Sequence, residues 1–199
     1  MARTTQRQTF PCWITSMTIT KKTTMNCAEY LVDFLITKGV TDIFGFAGGY
    51  IVPFQDALYK RPEIKVHVCY NEQGCSFAAN GYARTCGKLG VYFTTSGPGA
   101  VNAFGGLADA WFDSVPLMGI CGNIPTNERK GFSGIRQNGF QEMDIVSMTR
   151  HITKLSVTPL SAIDFPDIVS RAYNMAMLGR KGGVIIDFPF NIQKTDVEL

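Results

Sequence analysis

Along this chain, stretches with apolar residues at helical spacing take turns with short runs rich in β-branched and aromatic residues. Tyr30, Leu31, Phe34 and Leu35 recur at helical spacing. Asn26 followed three residues later by Glu29 has the form of a capping box, and Gly39 ends the helix. A short strand over 41–45 leads through the turn Ala47-Gly48-Gly49 into a second helix carrying Val52, Phe54, Gln55 and Leu58. The cycle then repeats. The pattern predicts a strand over 64–70, a helix rich in small residues over 72–85, and a strand over 91–95. After the turn Ser96-Gly97-Pro98-Gly99 it predicts a helix running to Ala110 and an apolar strand over 115–121. Further on, 165–178 is helical and 183–188 is a strand whose run Val184-Ile185-Ile186 is apolar on both faces. Between 123 and 139, Pro, Gly and charge replace periodicity, which predicts a long loop of the kind that carries function.

Strands alternating with helices predict an α/β domain. Its sheet should be open and mostly parallel, with helices on both faces in three layers and right-handed crossovers. The ordered domain is expected over 25–190, with a linker-like C-terminus over 191–199 from which a next domain could start. Residues 1–24 differ in kind: they hold Arg3, Arg7, Lys21 and Lys22, many Thr and no acid. They read as a disordered tail or leader, an organelle transit peptide being the alternative.

Composition narrows the function classes. With 199 residues, 45% hydrophobic and 18% charged, the chain has apolar mass for one core. A net charge of +3, with Lys and Arg scattered, makes no nucleic-acid stripe. No apolar run is long enough to span a bilayer, so no membrane partner is expected. Cys12, Cys27, Cys69, Cys75, Cys86 and Cys121 form no C-x-x-C pair, and His67 and His151 are isolated. No metal site is expected from them, and free thiols fit a cytoplasmic setting, with an organelle as the alternative.

Glu72 is the main chemical candidate, because it falls where a strand ends and a helix starts. In an open α/β sheet ligands bind at that edge, and the positive end of a helix favours a carboxylate. The plainer reading is a helix-terminal acid. The turns at Gly48-Gly49 and 96–99 let backbone approach a ligand closely. Neither is a Walker A loop nor G-x-G-x-x-G, and both also read as tight turns.

Four ordered blocks add specificity. Asn71-Glu72-Gln73-Gly74, with Ala78, Ala79, Gly81, Tyr82, Ala83 and Arg84, resembles the E-x-x-A-x-x-A-x-G-Y-A-R signature of thiamine diphosphate enzymes. Thr95-Ser96-Gly97-Pro98-Gly99, then Asn102, Gly106, Ala108, Asp109, Ala110, Asp113, Ser114 and Pro116, resembles their T-S-G-P-G-x-x-N...G-x-A-D-A...D-S-x-P block. Gly139-Phe140-Gln141-Glu142, with Asp144, Thr153 and Lys154, is similar to a stretch of acetolactate synthases, and Asp187-Phe188-Pro189 to the D-x-P closing their first domain.

The resemblance implies the pyrimidine-binding domain of an acetolactate synthase-like thiamine diphosphate enzyme, acting on 2-keto acids by decarboxylation or carboligation. In such enzymes the Glu matching Glu72 is catalytic: it hydrogen-bonds the pyrimidine N1′ and promotes the imino tautomer of the cofactor. Gly48, Gly49, Ser96, Pro98, Gly99 and Asn102 are implied to bind the cofactor beside it. Tyr50, Phe140, Gln141 and Lys154 are implied at the substrate entrance, a solvated strand end being the alternative for Lys154. Two departures, Ala47-Gly48-Gly49-Tyr50 for Pro-Gly-Gly-Ala and Asn71 for the His common in acetolactate synthases, bear on the product more than on the cofactor. The family's Gly-Asp-Gly...Asn metal motif does not occur in this sequence. Thiamine diphosphate is therefore expected to be held here by its pyrimidine half only. Mg2+, and FAD if used, would come through other domains or a partner chain. The expected partner is a diphosphate-binding domain on another chain, in a homo- or hetero-oligomer. The alternatives are a non-catalytic interaction domain or a truncated remnant that keeps the dimer surface.

Overall fold

In the computed structural model, residues 24–131 and 133–197 are described, so the leader expected over 1–24 lies almost wholly outside them. Helix α1 (Cys27–Thr37) starts as its sequence requires. Glu29 N donates to Asn26 Oδ1 at 2.9 Å, and Asn26 N donates back to Glu29 Oε2 at 3.3 Å. Strand β1 (Asp42–Gly45) follows, then α2 (Val52–Tyr59), β2 (Lys65–Val68), α3 (Glu72–Cys86) and β3 (Gly90–Thr94). Next come α4 (Pro98–Asn102), α5 (Phe104–Asp113) and β4 (Leu117–Asn123), and after the long loop α6 (Ile145–Thr149) and β5 (Leu155–Val157). The chain closes with α7 (Phe165–Met177), β6 (Gly183–Pro189) and α8 (Phe190–Lys194).

Among the described residues the six strands form one sheet, in the order β2-β1-β3-β4-β6-β5, and every pair is parallel. The period-2 rule divides the core between its two faces. Val91 and Phe93, Met118 and Ile120, and Val184, Ile186 and Phe188 face α1, α2, α7 and α8. Tyr92, Leu117, Cys121 and Ile185 face α3, α4 and α5. Central strands covered on both sides need apolar residues at both parities, which is why β4 and β6 are buried at every position. Phe165 of α7 stacks on Phe188 of β6 with ring centroids 4.8 Å apart. The domain is thus the expected three-layer α/β sheet. Among the described residues no helix is long and apolar enough to cross a membrane.

The structure departs from expectation in three places. The helix expected through to Ala110 is two helices, broken at Ala103 ahead of the weak helix formers Gly105 and Gly106. Helix α6 and strand β5 lie where the residue pattern shows neither a helix nor a strand. They have 5 and 3 residues, too few to show a period, and hydroxyl pairs join them: Thr149 to Ser156 at 2.8 Å and Thr153 to Ser156 at 2.7 Å. Residues 191–197, expected to be linker-like, are packed onto the domain instead. Ile192 and Gln193 are buried in α8. Gln193 Nε2 donates to Tyr50 O and Phe188 O, each at 2.8 Å. Val197 N donates to Met25 O at 2.9 Å. Buried backbone carbonyls need donors, and Gln193 supplies them.

Candidate functional site

The strand order sets where a ligand would enter. From β1 the chain goes to β2 on one side and then to β3 on the other, so a crevice opens outside the carboxyl ends of β1 and β3. The turn after β1 and the turn after β3 meet there. A Cβ on Gly48 would come within 2.5 Å of Thr95 Oγ1 and 2.9 Å of Thr95 Cγ2, so only glycine permits this approach. Gly49, by contrast, faces open space.

Glu72 arrives at the same edge from β2, as the first residue of α3. Asn71 caps the helix: its Oδ1 accepts from Gly74 N at 2.7 Å. That cap gives the Asn found before the Glu a local structural reason. The half-buried Glu72 carboxylate has two distinct oxygens. Oε2 accepts from Asn102 Nδ2, at the end of α4, at 2.8 Å. Oε1 makes no hydrogen bond among the described residues and lies 2.9 Å from where a Cβ on Gly99 would stand. Glu72, Pro98, Gly99, Val101 and Asn102 line an open depression of about 500 Å³. Ser96 is buried, and its Oγ has no partner among the described residues. Glu72, Pro98, Gly99 and Asn102, four of the residues expected beside the cofactor, thus line one depression.

A second depression of about 440 Å³ adjoins it, lined by Gly48, Gly49, Tyr50, Thr95, Phe140, Gln141 and Phe190. Three of the four residues expected at the entrance thus come together. Gln141 holds a left-handed φ of 57°, and its carbonyl oxygen lies 2.6 Å from where a Cβ on Gly97, itself at φ 59°, would stand. Glu142 organises the loop behind them. Its Oε1 accepts from Lys130 N and its Oε2 from Asn138 N, each at 2.9 Å. Burial alone would raise this carboxyl, but the N–H groups of Asn138, Lys130 and Gly139 outweigh it and hold it below its ordinary range.

Lys154, the fourth, does not join them. It immediately precedes β5 and so sits at the amino-terminal edge of the sheet, opposite Glu72. Its Nζ donates to Leu178 O at 2.9 Å and to Arg180 O at 2.7 Å, closing the loop after α7. Because β5 is too short to be read from the sequence, the side of the sheet on which Lys154 falls could not be read either.

Asp187 was visible only as part of a motif. It is buried near the carboxyl end of β6, where Asn123 Nδ2 donates to both its oxygens at 2.8 Å and Thr158 Oγ1 donates to Oδ2 at 2.8 Å. Burial pushes its carboxyl up to about 6 against these hydrogen bonds. The available signal was an acid inside an otherwise apolar strand, which needs partners. Other motif residues turn out to join helices. Arg84 bonds Asn80, Asp109 and Asp113 at 2.7, 2.7 and 2.8 Å, clamping α3 to α5.

Residues 25–148 match the model of the family described as thiamine pyrophosphate enzyme, N-terminal TPP binding domain. The chain is 42% identical to acetolactate synthase 1, chloroplastic, of Zea mays over 167 residues, which is 84% of this chain and 25% of that protein. It is 40% identical to the acetolactate synthase isozyme 2 large subunit of Escherichia coli over 175 residues, 88% of this chain and 31% of that protein. The chain thus spans about a quarter to a third of the relatives it matches. With the family matched over most of the described residues, and Glu72, Gly99 and Asn102 gathered at the switch point, the chain belongs to the thiamine pyrophosphate enzymes and carries their N-terminal TPP-binding domain in an acetolactate synthase-like form.

Proposed function

We propose that this domain forms the pyrimidine-binding half of an acetolactate synthase-like site that decarboxylates or ligates 2-keto acids, completed by a diphosphate-binding domain on another chain. The observation that carries the reading is the Glu72 carboxylate. One oxygen is fixed by Asn102, and the other has no partner among the described residues and lies beside Gly99, which lines the same open depression. The fit to an aminopyrimidine is supported by the same atoms: a free carboxylate oxygen can hold a proton shared with a ring nitrogen, and the missing Cβ at Gly99 leaves room for a flat ring. When bound, thiamine diphosphate supplies the electron sink for 2-keto acid chemistry.

The chain's own residues position that chemistry. Asn102 orients the Glu72 carboxylate, and the Asn71 cap holds the first turn of α3 that carries it. Tyr50, Phe140 and Gln141 border the adjoining depression and would meet the substrate. Mg2+, and FAD if used, are assigned to the other domains. Support for an added polypeptide comes from the outward face of α3 and α5, where Phe77, Trp111 and Phe112 stay 44%, 39% and 73% exposed.

The test combines the chain with a polypeptide supplying the diphosphate domain, together with thiamine diphosphate, Mg2+ and pyruvate, and measures release of carbon dioxide. Turnover should require both chains and vanish in Glu72→Gln. Undiminished turnover in that variant would overturn the proposal.

A further inference from the structure

The depression that adjoins the Glu72 site is walled by aromatic rings. Tyr50, Phe140 and Phe190 border it, with Thr95 and Gln141 as its other side chains, and no charged residue lines it among the described residues. Phe140 is exposed, and Tyr50 and Phe190 meet edge to face with ring centroids 6.2 Å apart. The backbone that carries the last two is fixed from several directions. Gln193 is fully buried: its Oε1 accepts from Phe54 N at 3.3 Å, while its Nε2 donates to Tyr50 O and Phe188 O, each at 2.8 Å. The turn before α2 and the end of β6 are thereby joined, and Phe190 follows that strand as the first residue of α8. A Cβ on Gly122 would collide with the Tyr50 carbonyl, so β4 also packs directly on the Tyr50 backbone. The Lys194 ammonium stands over the Phe190 ring, 5.4 Å from its centroid. Thr95 connects the rings to Glu72. It lines their depression, and its Cγ2 and Glu72 Oε1 lie 2.8 and 2.9 Å from the same Cβ position on Gly99.

We propose that the depression receives the side chain of an aromatic 2-keto acid, and that Tyr50, Phe140 and Phe190 make the site prefer an aryl-substituted substrate to pyruvate. The proposal rests on the reading of Glu72 as the cofactor carboxylate, which brings the substrate to this edge of the sheet. A depression of about 440 Å³ has room for a phenyl ring. That ring buries apolar area against three others and meets them stacked or edge to face. The methyl group of pyruvate would leave most of the space to water. A charged group on the substrate's side chain would find no countercharge among the described lining residues, so its desolvation would go uncompensated. Because Gln193 and Gly122 hold the Tyr50 backbone before any ligand arrives, little ordering is left to oppose binding.

The test measures kcat/KM of the assembled enzyme for phenylpyruvate and for pyruvate. Phenylpyruvate should be preferred by about tenfold or more. Tyr50→Ala and Phe140→Ala should each cut that preference by roughly threefold or more, and Tyr50→Phe, which keeps the ring, should retain it. Tyr59→Ala removes an exposed aromatic outside the depression and should leave the preference unchanged. Circular dichroism checks that each variant is folded. The chain by itself gives a second readout, saturation-transfer NMR with 3-phenylpropanoate and butanoate, acids that lack the keto group. Transfer should reach the aromatic acid alone and fade in Tyr50→Ala. Three results would overturn the proposal: pyruvate consumed as well as phenylpyruvate, a preference unmoved in both alanine variants, or equal transfer, or none, to the two probe acids. Each leaves the function proposed from Glu72 standing, whereas turnover of neither keto acid would sink that function and the preference with it.

Discussion

Asn102 donates to Glu72 across 2.8 Å, tying the last residue of α4 to the first residue of α3. The two residues follow different strands and are 30 positions apart, so the carboxylate's orientation is a tertiary property. A hydrogen bond to a charged group contributes about 1.5–3 kcal/mol. Asn102→Ala should therefore lower the stability of the chain by up to about 1.5–3 kcal/mol and the turnover of the assembled enzyme by about tenfold or more. Steady-state rates alongside urea unfolding check both halves of this expectation.

Replacing the carboxylate itself has a larger effect. Glu72→Gln keeps the shape and the first turn of α3 but cannot exchange a proton at its side chain. Turnover should fall by about a hundredfold or more, with an unchanged far-ultraviolet circular dichroism spectrum.

Gly99→Ala would place a methyl 2.8 Å from Thr95 Cγ2 and 2.9 Å from Glu72 Oε1. Overpacking of this kind costs about 1–3 kcal/mol, and here it also pushes the carboxylate aside. The expected outcome is a lower midpoint of urea unfolding together with weaker thiamine diphosphate binding by the assembled enzyme, read by calorimetry. Gly49→Ala meets nothing within 4 Å and should leave stability within about 0.5 kcal/mol of the parent.

Lys154→Ala separates the two edges of the sheet. The ammonium closes the loop after α7 through two carbonyls and is remote from Glu72. Stability should drop by about 1 kcal/mol, while the turnover of the assembled enzyme stays at the parental rate. A selective loss of rate would return Lys154 to the substrate entrance.

Asp187 carries a pH dependence of definite sign. Its folded value of about 6 lies above its ordinary 3.8, so the fold favours the protonated acid. Its contribution is fully present below the unfolded value and is lost as pH rises through about 6. Glu29, Asp42, Glu142 and Asp144 are shifted downward and act in the opposite sense, losing their contribution as the solution becomes acid. The difference between parent and Asp187→Asn isolates the buried acid. Between pH 4 and pH 6 the parent should lose stability relative to the variant, by an amount on the order of a few kcal/mol, followed by thermal melts across that interval. A flat difference would show that Asp187 stays ionised throughout.

Local pattern alone determined a good deal of this protein. The capping pair Asn26 and Glu29, the apolar spacing of α1 and α7, and the doubly apolar run of β6 are each written within a few neighbouring residues, so the layered sheet and the position of Glu72 at a strand-to-helix junction follow from the chain itself. What only the tertiary structure decided depends on contacts between distant segments: the Asn102–Glu72 bond, the seat of Phe140 and Gln141 beside Gly48, the burial of Asp187, and the placement of Lys154 on the opposite edge. The physical reason is that period and propensity act over a few residues. The edge of the sheet that a side chain reaches is set by strand order and by elements as short as β5, whose three residues hold their place through pairing with β6.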